Sequence, residues 1–378
     1  MNEVERIQPQ PPGHRQPAPG DRREATMSAP AVSRWTRYVL VLLLTLGVST
    51  GTASTAGATP SGAPPSASAA SDDFAGLVDI GGRRMYLECR GTGAPTVVLV
   101  SGYRTSGRYW TDDLLRPDAP RTMVLPRLAE ATRVCAYDRP GTYAPLGEDV
   151  LPSRSDPVPQ PRTEADAVAE LHALLGAAGV PGPYVLAGHS LGGFMVRLYA
   201  ATYPDDVVGL VLIDAYNEQI EALMTPAQWV ALMRFNVEGG SDTVLPIPDY
   251  GPLETIPYGG GNALIRRATA AAPLPALPLA VLAHVRPFEL SGPIGGLSPA
   301  ALEQILGAAN EWQATLAPRA RYFAAHASGH DVHQDQPALV AEAIRQVVAG
   351  VRDPDAWYDL AACCAGPDPQ GTAQQRTP

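Results

Sequence analysis

A chain of 378 residues with 45% hydrophobic and 17% charged content can bury one large α/β core or two ordinary ones, which excludes global disorder. Its formal net charge of −10 argues against a nucleic-acid or anionic-membrane partner, either of which would want clustered Lys and Arg.

Residues 1–58 read as an N-terminal extension and signal peptide. Residues 1–26 are polar and Pro-rich, and Met27 stands where a signal would begin, so they read as the product of an upstream start. Arg34 and Arg37 then precede the apolar run Tyr38 to Val48, followed by the small residues of 49–58. A positive flank, a short apolar core and small residues beyond it describe a secretory signal. The run is short for a spanning helix, which needs about 20 residues; a retained signal-anchor, the single route to a membrane, is the alternative. Residues 59–71, rich in Pro, Ser and Ala, read as a linker.

From Asp72 to Arg352 strands and helices alternate, which predicts a mostly parallel sheet with helices on both faces. Leu77–Ile80 and Arg84–Cys89 form a hairpin across Gly81-Gly82. Val97–Val100 is an apolar strand ending at Ser101-Gly102, and a helix around Val124–Ala131 leads to the strand Val134–Tyr137. Thr163 opens an amphipathic helix carrying Ala167, Leu171, Leu174 and Leu175. Next come a strand Tyr184–Ala187, a helix after Gly192 and a buried strand Val208–Ile213. Residues 215–277 break the alternation and read as an insert. Leu279–Ala283 resumes the sheet, and a helix Pro299–Leu316, a strand Arg321–Ala325 and a helix Pro337–Ala349 complete it. Residues 353–378 read as a disordered tail.

Gly188-His189-Ser190-Leu191-Gly192 matches the G-x-S-x-G pattern, and so does Gly47-Val48-Ser49-Thr50-Gly51 inside the leader. Context separates them. Ser190 stands between an apolar strand and a helix, where a sharp turn puts the serine at positive φ and flanking glycines remove colliding Cβ atoms. That lifts Oγ above the sheet edge, beside a helix N-terminus that favours negative charge. Ser190 is therefore the candidate nucleophile.

A hydroxyl nucleophile needs a base, and the chain has seven histidines. His14 lies in the leader, His172 on the helix before the nucleophile strand, and His189 beside Ser190 facing away. His284 and His326 fall at strand ends. His330, just past the last strand, fits the chain order Ser…acid…His, with His333 as fallback. For the acid, Asp214 ends the strand Val208–Ile213, and Glu289 follows the strand after the insert; Asp214 is favoured. Leu191 supplies one backbone N–H of an oxyanion hole, and Tyr103, after Ser101-Gly102, supplies the other. No Cys/His cluster of zinc spacing occurs, so no metal or cofactor is expected.

These stretches resemble the α/β-hydrolase superfamily in its Ser-dependent esterase and lipase-like branch. The matching runs are Thr96–Gly102, Val134–Gly141, Gly188–Gly193, Leu210–Asp214 and Ser328–His330, in the family's order over residues 77–350. The resemblance implies an α/β-hydrolase fold: an eight-stranded sheet, its second strand antiparallel, with a lid, here 215–277, after the sixth strand. It sets Cys89 and Cys135 in one sheet, where a bridge is conceivable and two buried free thiols are favoured. It assigns Asp138-Arg139 a loop-organising role. Ser101-Gly102 departs from the commoner His-Gly, and no Asp follows the seventh strand.

The expected activity is a secreted serine hydrolase that cleaves small-molecule carboxylic esters. A serine at the elbow argues against epoxide-hydrolase and dehalogenase chemistry, which needs a carboxylate there. Leu223, Met224, Trp229, Leu232, Met233 and Phe235 give the lid apolar residues for covering an acyl chain or for packing. Its acidic residues Glu218, Glu221, Glu238, Asp242, Asp249 and Glu254 would suit a rival reading, an aminopeptidase of proline-iminopeptidase type. A non-catalytic ligand-binding protein is the remaining alternative.

Overall fold

Apolar runs such as Val97-Val98-Leu99-Val100 leave no polar face, so their strands must be covered on both sides. The computed structural model describes residues 73–147, 149–238, 250–271 and 273–359, all within the compact unit Ser66–Pro378. The strands in chain order are β1 (Phe74–Asp79), β2 (Arg84–Arg90), β3 (Thr96–Val100), β4 (Val134–Tyr137), β5 (Tyr143–Leu146), β6 (Asp149–Pro152), β7 (Tyr184–His189), β8 (Val207–Ile213), β9 (Leu279–His284) and β10 (Arg321–Ala325). The helices are α1 (Arg108–Thr111), α2 (Val124–Ala129), α3 (Glu164–Ala177), α4 (Leu191–Thr202), α5 (Gln219–Ala222), α6 (Pro226–Glu238), α7 (Tyr258–Ala271), α8 (Pro299–Gln313), α9 (Val332–Asp335), α10 (Pro337–Arg352) and α11 (Ala356–Asp359).

Eight strands form one sheet in the order β1-β2-β4-β3-β7-β8-β9-β10, and β5 and β6 make a separate hairpin. The second strand, β2, runs antiparallel to both neighbours, and β4 through β10 of the sheet run parallel. This is the α/β-hydrolase fold. Alternate residues feed opposite cores: Val98, Val100, Leu186, Leu210 and Leu212 join α3, α4 and α8 on one face. Val97, Leu99, Val185, Val211 and Ile213 meet α2 and α10 on the other. The chain steps outward from β3 to β4, then returns to β7 on the opposite side. Such a reversal opens a crevice at the carboxyl ends of the strands, where ligands bind in open α/β sheets.

Local chemistry sets the element ends. Thr163 caps α3 in a capping box with Asp166, its hydroxyl accepting from Asp166 N at 3.2 Å while Thr163 N donates to the Asp166 carboxylate at 2.9 Å. Ser298 caps α8. Gly81 and Gly82 turn the first hairpin at φ 98° and 94°, where a Cβ would be strained. Among the described residues no helix is long and apolar enough to cross a membrane. The expected signal (1–58), the linker (59–71), the Ser49 decoy and His14 lie outside the described residues.

Two expectations are corrected. Cys89 and Cys135 are not free thiols but a disulfide, with Cα atoms 4.0 Å apart. They stand directly opposite in the antiparallel register of β2 and β4, which brings their Cβ atoms within bonding reach. The expected tail begins later than residue 353, because Trp357 is buried against Gly350 of α10 and accepts, through its carbonyl, a hydrogen bond from Arg321. Residues 360–378, with Cys363 and Cys364, lie outside the described residues.

The disulfide spans a sequence separation of 46 residues. Closing a loop of that size removes about 4 kcal/mol of unfolded-chain entropy in the chain-entropy model. The Cys89→Ser/Cys135→Ser double variant should therefore unfold at a clearly lower denaturant midpoint than the oxidised protein. Reductant should lower the parent midpoint and leave that of the variant unchanged.

Candidate active site

The site gathers where five strands end. β7 enters α4 through Ser190 alone, at φ 52° and ψ −122°, the strained turn expected from the motif. The glycines are required by contact rather than by φ. A Cβ on Gly188 would lie 2.3 Å from Gly192 O, one on Gly192 2.2 Å from Val100 O, and one on Gly193 2.2 Å from the Ala215 Cβ. Gly102 is equally constrained: a Cβ there would sit 2.9 Å from His189 Nδ1 and 3.2 Å from the Ser190 Cβ. The Ser-Gly pair after β3 thus passes directly over the serine.

His330 follows β10, and its Nδ1 donates to Asp214 Oδ2 at 2.5 Å. No described residue hydrogen-bonds its Nε2, and none bonds Ser190 Oγ; both residues line one cavity of about 430 Å³. Proton-transfer contacts of this kind are commonly open in unliganded enzymes and tighten around substrate. Asp214, at the end of β8, is 5% exposed and held at φ 43° by a bond from its own N to Leu282 O at 2.6 Å. Asn310 Nδ2 donates to its Oδ1 at 2.9 Å. Burial opposes the Asp214 carboxylate, yet hydrogen bonds from His284 and His330 outweigh it and hold the group well below the usual carboxylate range. Burial likewise opposes a charged His330, and the bond and charge of Asp214 reverse that, raising the imidazole above its ordinary value.

The remaining candidates separate cleanly. Glu289 is exposed and joins nothing in the site, while Asp214 reaches His330. His333 is fully buried under Trp110, with ring centroids 4.6 Å apart, and does not line the cavity. His189, expected to face away, instead lines the cavity and donates from Nε2 to the His330 carbonyl at 2.9 Å. Burial pushes it down to about 4, so it stays neutral and supports the His330 backbone.

Leu191 is the first residue of α4, directly after Ser190, so its N–H has no intrahelical acceptor. Tyr103 lines the same cavity from the β3 loop. That loop is clamped from below. Arg139, 2% exposed, donates to Ser101 O at 2.8 Å and Gly102 O at 2.5 Å, and pairs with Glu254 at 2.6 Å. Glu254 also accepts from Arg104 N at 2.7 Å. Asp138 pairs with Arg154 at 2.8 Å and receives Gly107 N, so the two members of Asp138-Arg139 organise loops through different partners.

The lid contributes Leu232, Met233 and Phe235 to the cavity, whereas Trp229 packs inward and Leu223 is exposed. Glu218 is paired with Arg197 at 2.7 Å, Glu221 with Arg266 at 2.8 Å and Glu254 with Arg139, so these lid carboxylates are already engaged. Glu238, Asp242 and Asp249 have no described side chains. Sequence reasoning missed Glu303 altogether, and it named His284 and Glu254 without finding their partners, Asp214 and Arg139. Each acts through a distant partner, and no local pattern marks any of them.

A model of the alpha/beta hydrolase family matches residues 97–343. Among curated proteins the chain is 34% identical over 124 residues to a putative carbamate hydrolase RutD of Cronobacter turicensis, covering 33% of this chain and 39% of that one. It is 28% identical over 149 residues to a probable transporter efuK of Hormonema carpetanum, covering 38% and 19%. The chain thus spans at most 39% of the length of these relatives. Among solved structures it is similar to a thermophilic esterase from Thermogutta terrifontis, at 21% identity over 74% of this chain and 99% of that one, TM-score 0.42. A putative lipase from Acinetobacter baumannii matches at 16% identity over 75% and 93%, TM-score 0.46. Likenesses of that degree carry nothing about the reaction. The family match spans residues 97–343 of 378, well over half of the sequence, and the chain belongs to the alpha/beta hydrolase family.

Proposed function

We propose that the protein is an exported serine hydrolase that cleaves carboxylic esters through an acyl-enzyme on Ser190. The observation that carries the reading is the Asp214–His330 hydrogen bond, which leaves His330 Nε2 open to the cavity that Ser190 also lines. Ser190 Oγ attacks the ester carbonyl as His330 Nε2 takes its proton, and Asp214 steadies the imidazolium. The N–H groups of Leu191 and Tyr103 receive the oxyanion. His330 then returns the proton to the leaving alcohol, and water activated by the same imidazole releases the acid. Leu232, Met233, Phe235, Ile294, Leu302 and Leu306 give the cavity an apolar wall suited to an acyl chain. Export is supported by the leader composition and by the disulfide, which persists in oxidising compartments.

The test is labelling of the mature protein with a fluorophosphonate probe, then assay with p-nitrophenyl esters of several chain lengths beside proline p-nitroanilide. Labelling at Ser190 with ester turnover is expected. Absence of labelling would overturn the reading, and anilide turnover without ester turnover would favour the peptidase.

A pH dependence follows. The base works only when neutral, and its pKa is raised in the folded protein. Activity should therefore rise with pH, and the acid limb of kcat/KM should lie above the ordinary histidine value of about 6.5. A limb below that value in a pH–rate profile would contradict the Asp214 partnership.

A further inference from the structure

Asp214 Oδ2 is shared by two imidazoles. His330 Nδ1 lies 2.5 Å from it, and His284 Nδ1 lies 2.7 Å from the same oxygen. A carboxylate only accepts, so both Nδ1 atoms carry hydrogen. The other nitrogen of His284, Nε2, meets Glu303 Oε2 at 3.0 Å, so it carries hydrogen as well. A histidine protonated on both nitrogens is a cation. Its side chain is 5% exposed, beside the 3% of Asp214 and the 20% of Glu303. Glu303 is itself oriented, because its Oε1 accepts from Phe288 N at 2.7 Å. The Phe288 ring meets the His284 ring edge-on at 5.1 Å, closing the remaining side.

His284 ends β9, the seventh strand of the sheet, where the sequence lacks a carboxylate. It reaches back to the acid on β8 instead. Glu303 and Asn310, seven residues and so about two turns apart on α8, reach this network from one helix face. We propose that His284 is a fixed cation that clamps Asp214 for His330 and offsets part of its charge, with Glu303 as counter-ion. His284 is then a positioning residue, and the proposal rests on the catalytic reading of Ser190, His330 and Asp214 above.

The charge logic has a direction. The groups facing His284 are Asp214 from β8, Glu303 from α8 and His330 from the loop after β10; those facing His330 are Asp214, Asp331, His189 and His284. Burial opposes the His284 cation, and the bonds and charges of Asp214 and Glu303 outweigh it, pushing it up to about 9. A cation beside Asp214 restrains how strongly that carboxylate can raise the basicity of His330. His330 thereby stays neutral, and able to act as base, at a lower pH than a lone Asp–His pair would permit.

The test uses His284→Asn, which keeps a donor toward Asp214 and removes the charge. The acid limb of kcat/KM should move up by about one pH unit, a tenfold loss on the acidic side that vanishes at high pH. An equal loss at every pH with an unmoved limb, or no change at all, would overturn the proposal. Should the variant fail to fold, histidine ¹⁵N chemical shifts of the parent decide: both His284 nitrogens should read as protonated between about pH 5 and pH 8. A neutral His284 in that window refutes it. Fluorophosphonate labelling of the parent runs alongside; unlabelled Ser190 with a charged His284 would fault the catalytic reading rather than the cation.

Discussion

Asp214→Asn should lower kcat for an activated ester by about 10⁴-fold, while Glu289→Gln should leave it unchanged. The carboxylate cannot be replaced by its amide, because every lone pair in use faces a donor. Oδ2 receives two imidazole N–H groups, and Oδ1 receives Asn310 Nδ2. Turned one way, the new NH₂ meets both imidazole N–H groups and His330 loses its tautomer and orientation; turned the other, it meets the Asn310 NH₂, and His330 keeps only a neutral acceptor that cannot balance an imidazolium. Glu289 is exposed and touches none of these groups. Steady-state kinetics, with circular dichroism to check folding, measure both variants; equal losses would remove Asp214 from the mechanism. Ser190→Ala is the companion and should abolish fluorophosphonate labelling altogether.

Glu254→Ala should cost about 3–5 kcal/mol of stability, because it leaves Arg139 as a buried charge without its partner. Both side chains are almost fully enclosed, at 2% and 3% exposed. The effect should extend to catalysis. Arg139 holds the carbonyls of Ser101 and Gly102, and Glu254 takes Arg104 N, so the pair brackets the Tyr103 amide from both sides. Slackening one oxyanion donor should lower kcat of the folded fraction by up to about 10². Denaturant unfolding and low-temperature kinetics separate the two effects. Arg139→Lys should fail similarly, since an ammonium cannot reproduce the forked bonds to two carbonyls and a carboxylate.

What was legible in the sequence was what neighbours decide. The turn at Ser190 follows from glycines two residues away on either side, and the two-faced strands follow from unbroken apolar runs. Asp214 and His330 could be placed at strand ends because strands end where apolar runs end. Their partnership with His284 could not, since it joins residues 70 and 116 positions from Asp214 in the chain. The disulfide was obscured for a topological reason. β4 pairs with β2 across β3 in chain order, and only the register sets Cys89 opposite Cys135. Trp357 looked like tail because an isolated Trp357-Tyr358 pair carries no period, yet Gly350 leaves the notch that Trp357 fills.

The junction between β8 and the lid has a consequence for how such an enzyme can change its substrates. The lid departs from the sheet at Ala215, one residue past Asp214, and Tyr216 N donates to the Ser190 carbonyl at 3.0 Å. Asn217, fully buried, ties the same segment to Ala309 O on α8. A hydrolase whose acid stands on a later strand can exchange its lid as a separate part. Here the graft point is welded to Ser190 and Asp214 together. A transplanted lid would have to keep residues 214–217 as its root, and substrate range would evolve through the lid beyond that root.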